Sequence, residues 1–157
     1  MHKADIEKLE DMLINQEKYK KLLRFREMEL EYTQSENIPD HKNNSDRQDP
    51  RTIKAGSNTS TVEKTVERLN NDLEYQTLYS IVCNTPKYLN TLNQYENAIY
   101  QYRYREVDLS VYEWEGIAMK LTDIACEDNK SFSKSTTLRL RNKMLERLAN
   151  HVGYTLM

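Results

Sequence analysis

Between Ser133 and Lys143 the chain reads Ser-Lys-Ser-Thr-Thr-Leu-Arg-Leu-Arg-Asn-Lys. These residue types suit hydrogen bonding to the base edges and phosphates of duplex DNA. On a helix, Ser135, Thr136, Arg139, Asn142 and Lys143 project from one side. Thr137, Leu140, Met144, Leu145, Leu148 and Val152 share the other side. Arginine reaches guanine edges and asparagine adenine edges, while serine, threonine and lysine serve phosphates or either base. Ser133 suits the N-cap of such a helix and would leave backbone N–H groups facing a phosphate. Arg141 has its Cα toward the apolar side. Its stem is expected to cover the core and its guanidinium to pair with Glu113 or Glu115, which ranks it below Arg139 and Lys143 for DNA contact. The candidate reading set is Ser133, Lys134, Ser135, Thr136, Arg139, Arg141, Asn142 and Lys143.

The charge pattern reinforces the location. Residues 131–157 hold five bases (Lys134, Arg139, Arg141, Lys143, Arg147) and one acid, Glu146. Residues 106–130 hold seven acids and two bases. The net charge of −2 conceals this reversal, so any attraction to nucleic acid must come from a local patch. An acidic helix followed by a Ser-capped basic helix is the layout of the reading half of a helix-turn-helix. The acids around Glu113, Glu115, Asp123, Glu127 and Asp128 could also shield the basic helix in the free protein.

The elements that must position this helix are themselves helical. Only three Gly and three Pro occur in 157 residues, and no strand-like alternation is present, so the chain is expected to be all-α. Residues 1–34 form the first segment, with one long helix over 4–34. Its narrow apolar stripe of Ile6, Leu9, Leu13 and Leu23 needs a partner: a second copy, the chain's own main domain or another protein. Residues 35–60 are rich in Asn, Asp and Ser, with Pro39, Pro50 and Gly56, and read as a flexible linker. Residues 61–157 read as a helical domain ending in the helix-turn-helix, about 110–152. Within it, Ser60-Thr61-Val62-Glu63 and Ser110-Val111-Tyr112-Glu113 are capping boxes, Thr85-Pro86 is a helix restart, and Gly153 is a C-terminal stop.

Other chemistry has little support. His2, His41 and His151 are scattered, and no metalloprotease, P-loop or nucleophile-elbow pattern occurs, so no enzyme, metal or cofactor is expected. Eight of the eleven tyrosines lie between Tyr75 and Tyr112, where rings packed in the core with hydroxyls toward water are the expected arrangement. Cys83 and Cys126 are read as small buried thiols in a reducing cytoplasm. No apolar run approaches the roughly 18 residues of a membrane span.

Two runs, Leu109-Ser110-Val111-Tyr112-Glu113-Trp114-Glu115-Gly116-Ile117-Ala118-Met119-Lys120-Leu121 and Ser133 to Leu145, resemble the end of phage late-transcription regulators of the ArpU/RinA type. Their helix-turn-helix is similar to the promoter-reading region 4 of sigma factors. The charged first helix and polar linker fit the same layout. The resemblance implies an activator that helps RNA polymerase at a late promoter, with Ser133, Lys134, Ser135, Thr136, Arg139 and Lys143 on DNA. One departure is the length from Leu121 to Ser133, which exceeds the usual turn of about three or four residues. A helix continuing to Cys126 would shorten the turn to about six.

The expected function is therefore sequence-specific binding of double-stranded promoter DNA in the cytoplasm of a bacterial host, as an activator of phage late genes. Two alternatives stand beside it: a helical protein-interaction adaptor without DNA contact, and a small terminase-like packaging subunit.

Overall fold

The computed structural model describes residues 1–37, 57–105 and 113–157. Among them every regular element is helical, and the fold is all-α. In chain order the helices are α1 (Lys3–Ile14), α2 (Gln16–Asn37), α3 (Ser57–Asn71), α4 (Leu73–Leu89), α5 (Gln94–Ile99), α6 (Trp114–Ile124) and α7 (Lys134–Val152). A π-helical stretch, Tyr100–Arg105, continues α5, and a 3-10 turn, Cys126–Asp128, follows α6. The central residues of the expected linker, and the expected box at Ser110–Tyr112, lie outside the described residues. Two compact units are present: residues 1–19 with 80–157, and residues 20–79.

The first unit carries a continuous core. Leu9, Met12 and Leu13 of α1 are buried, as are Ile99, Ile117, Leu121, Met144, Leu145 and Leu148. Of the partners open to the stripe, Leu9 and Leu13 take the chain's own main domain. Ile6 is only half-buried. The polar side of α1 is equally committed. Asp5 is fully buried and accepts hydrogen bonds from the Tyr154 hydroxyl (2.9 Å) and the Met157 backbone N–H (3.1 Å). The Asp5 carboxylate in turn raises the Tyr154 phenol above its ordinary pKa. An acid can be buried this way because its oxygens keep their donors.

The long first helix expected over 4–34 is broken at Asn15, whose backbone (φ −108°, ψ 44°) leaves the helical region. Asn15 Nδ2 donates to Asp11 Oδ1 at 2.5 Å, and Tyr19 and Lys18 donate to Asp11 Oδ2 at 2.6 and 3.4 Å. Partial burial pushes the Asp11 carboxyl up, but these hydrogen bonds outweigh it and hold the carboxyl below its ordinary value. The break therefore has a polar staple in place of a Gly or Pro signal.

Elsewhere the chain departs from its local signals in both directions. Pro86 lies inside α4 and does not restart a helix there. The neighbouring side chains are anchored: Thr85 and Tyr88 are buried, and the Tyr88 hydroxyl donates to the Met144 carbonyl at 2.6 Å. Burial pushes the Tyr88 phenol up to about 12. A real restart occurs at Asn93, where the Asn93 side chain and Glu96 form a reciprocal capping box. Cys83 is half-buried and Cys126 is exposed, against the expectation of two buried thiols.

In the second unit, Arg26 grips Asp72 with two bonds, Nε to Oδ1 at 3.1 Å and Nη2 to Oδ2 at 2.6 Å. Asp72 Oδ1 also accepts the Tyr75 N–H at 2.7 Å, which caps α4. The Arg26 guanidinium holds the Asp72 carboxyl below its ordinary value of 3.8.

Two outcomes follow. Leu9→Ala should lower unfolding stability by about 2–5 kcal/mol, the usual cost of a core truncation, in a urea titration of the full chain. A neutral result would mean α1 is not part of the core. Asp72→Asn should lower the urea midpoint near neutral pH. Because the folded carboxyl is depressed, its contribution is complete above pH 3.8 and vanishes as pH falls through the folded value. The gap between variant and wild type should therefore close below pH 3.8.

Candidate nucleic-acid interface

α7 begins where its sequence signals place it. Ser133 is the N-cap, and its Oγ accepts the Thr136 N–H at 3.1 Å. The Thr137 hydroxyl donates to the Ser133 carbonyl at 2.8 Å, which tightens the first turn. Gly153 ends the helix in the left-handed region (φ 73°), where a side chain would be strained. Along one face Thr137, Met144, Leu145, Leu148, Ala149 and Val152 are buried. Leu140, expected among them, is half-buried.

The connection before α7 is longer than a standard turn. Nine residues, 125–133, separate α6 from α7, and the 3-10 turn occupies part of them. Polar groups hold it in place. The Thr122 hydroxyl accepts the Phe132 N–H at 2.9 Å. The Phe132 ring packs 5.1 Å from Tyr95. Asn129 takes a left-handed backbone (φ 52°), a conformation asparagine tolerates better than most residues.

The bases of α7 divide into two sets. Arg141 points inward. Its Nη1 donates to Glu10 Oε1 at 3.1 Å, its Nε donates to Asn142 Oδ1 at 2.9 Å, and its guanidinium lies 5.2 Å from the Trp114 ring. Only 13% of the Arg141 side chain is exposed. Its partner is therefore an acid of α1, not Glu113 or Glu115, and it leaves the candidate reading set. Asn142 goes partly with it, since its carbonyl oxygen supports Arg141 and the residue is half-buried. Arg147 pairs with Glu96, whose side chain is buried. Lys134 pairs with Glu115 at 2.9 Å, and that contact holds the Glu115 carboxyl below its ordinary value.

Arg139 and Lys143 form the other set. Both are exposed, one turn apart, with no ion-pair partner among the described residues. Ser133, Ser135 and Thr136 are exposed beside them at the start of the helix. Together these side chains present two free cations and several hydroxyls over a helix whose far face is locked into the core.

Glu10 and Tyr104, which sequence reasoning did not single out, do much of the positioning. The Tyr104 hydroxyl donates to the same Glu10 Oε1 at 2.8 Å. Burial pushes the Tyr104 phenol up, and Glu10 raises it further, so the proton stays on Tyr104 and donates. Arg103 also lies over Trp114, at 5.1 Å. His151, near the end of α7, is exposed and meets the Arg147 carbonyl at 2.9 Å, a surface capping contact. Among the described residues no cluster of His, Cys, Asp and Glu could hold a metal ion, and no helix is long and apolar enough to cross a membrane.

No protein-family model, curated protein or solved structure matches this chain.

Inward and outward bases should separate in a stability assay. Glu10→Ala strips the buried Tyr104 hydroxyl and the partly buried Arg141 guanidinium of their acceptor and should cost about 1–3 kcal/mol in urea unfolding. Arg139→Ala and Lys143→Ala should each stay within about 0.5 kcal/mol of the parent chain. Equal losses for all three would contradict the division.

Proposed function

We propose that this chain binds duplex DNA through the N-terminal half of α7, as a transcriptional regulator and not as an enzyme. The observation that carries the reading is the exposed set Ser135, Thr136, Arg139 and Lys143 on a helix whose opposite face is fixed in the core. A recognition helix needs this division, with base and phosphate contacts at its N-terminal end. Arg139 is the candidate for a guanine edge, and Lys143, Ser135 and Thr136 for phosphates or bases. Ser133 supplies the cap that brings backbone N–H groups to the same surface.

The likeness of residues 109–121 and 133–145 to late-transcription regulators of the ArpU/RinA type supports promoter DNA as the target and RNA polymerase as a partner. Action in a bacterial host's cytoplasm and activation of phage late genes belong to the same proposal. The Lys134–Glu115 pair supports a limited self-shielding, in which one base of the surface is neutralised until a phosphate competes for it. Arg147 and Arg141 are held by Glu96 and Glu10 as parts of the scaffold.

The test is a double variant. Arg139→Ala/Lys143→Ala should weaken binding to duplex DNA at low salt and reduce the slope of log K against log salt by about 1 per lost phosphate contact. Helical circular dichroism should be unchanged. Undiminished binding with the parent salt slope would remove α7 as the interface.

A further inference from the structure

The most conspicuous feature outside α7 is the outer face of α2. Leu22, Phe25, Met28 and Tyr32 follow at three- and four-residue steps and so fall on one side of the helix. Their exposures are 41%, 62%, 55% and 65%. Single exposed apolar residues are ordinary, but four large ones in a line mark a contact surface. The unit that carries them has little core of its own. Among the described residues of 20–79, only Leu78 is buried. A helix of this kind gains most of its stability from a packed partner.

The charges beside the stripe identify the partner. From Lys18 to Arg26 there are five bases and no acid; from Glu27 to Asn37 there are four acids and no base. This order runs against the helix's own dipole, which favours acids early and bases late, so it does not serve the isolated helix. A second copy laid parallel would set base on base and acid on acid. A second copy laid antiparallel sets the basic half of each helix on the acidic half of the other and opposes the two dipoles.

We infer that a second copy of this chain packs antiparallel on the Leu22–Phe25–Met28–Tyr32 stripe, forming a twofold dimer. The axis passes between Phe25 and Met28, so each Phe25 meets the partner's Met28 and each Leu22 the partner's Tyr32. Lys21, on the stripe itself, and Arg24, at its edge, are both exposed and face the acidic half of the partner's helix. Glu29 is 66% exposed and uses one oxygen on Arg26 at 3.0 Å, which leaves the other for this contact. The contact is isologous, with the same patch used by both copies. The inference stands on α2 alone and is independent of what α7 binds.

Sedimentation equilibrium of the full chain tests it. The wild-type chain should show a concentration-dependent mass approaching twice 18.7 kDa, with Phe25→Asp shifted to a single chain. Lys21→Glu/Arg24→Glu and Glu29→Lys/Glu31→Lys should each fall toward the single-chain mass while keeping their helical circular dichroism. An equal mixture of those two variants should restore the two-chain mass, because an acidic stripe then meets a basic one. Wild type that stays at 18.7 kDa across the concentration range would overturn the inference. So would a dimer indifferent to all three variants, or a mixture that stays monomeric.

Discussion

One carboxylate, Glu10, fixes the orientation of the helix that carries the candidate interface. It accepts from Tyr104 at 2.8 Å and from Arg141 at 3.1 Å, and so ties α1, the π-helical stretch and α7 together. The pairing turns Arg141 into the fold and stacks it near Trp114. With Arg141 inward, helical geometry sends Arg139 and Lys143 outward, since neighbours two residues along lie on different faces. The direction of the exposed cations therefore depends on an acid far away in the sequence.

The electrostatic balance of α7 is more economical than its sequence suggests. Of its five bases, Lys134, Arg141 and Arg147 are paired with acids from three different elements. Two cations remain for phosphates. Each phosphate contact contributes a salt slope of only about 0.9, so one copy of this surface would grip DNA weakly and lose that grip readily as salt rises. The proposed interface and the inferred dimer each rest on their own residues.

Much of α7 was legible because its signals are local. Ser133 caps it, Gly153 stops it, and the apolar spacing from Met144 to Val152 marks its buried face. What the sequence concealed was long-range. Leu9 and Leu13 have the spacing of a partner-seeking stripe, and nothing local says that α7 itself is their partner. Asp5, in the first turn of α1, and Glu10, farther along it, carry no local sign that both accept from residues more than ninety positions away. Pro86 does not restart a helix because the buried side chains of α4 override it, and the restart falls instead at the Asn93 capping box. Arg141 was placed on the correct face but given the wrong acid, because the nearest acids in sequence are not the nearest in space.

The most direct measurement is an amide NMR titration of the full chain with a mixed-sequence DNA duplex at low salt. Binding through α7 predicts that the amides of Ser133, Ser135, Thr136, Arg139 and Lys143 shift or broaden together, while those of α2 stay in place. An unperturbed spectrum at saturating duplex, or changes confined to elements other than α7, would contradict it.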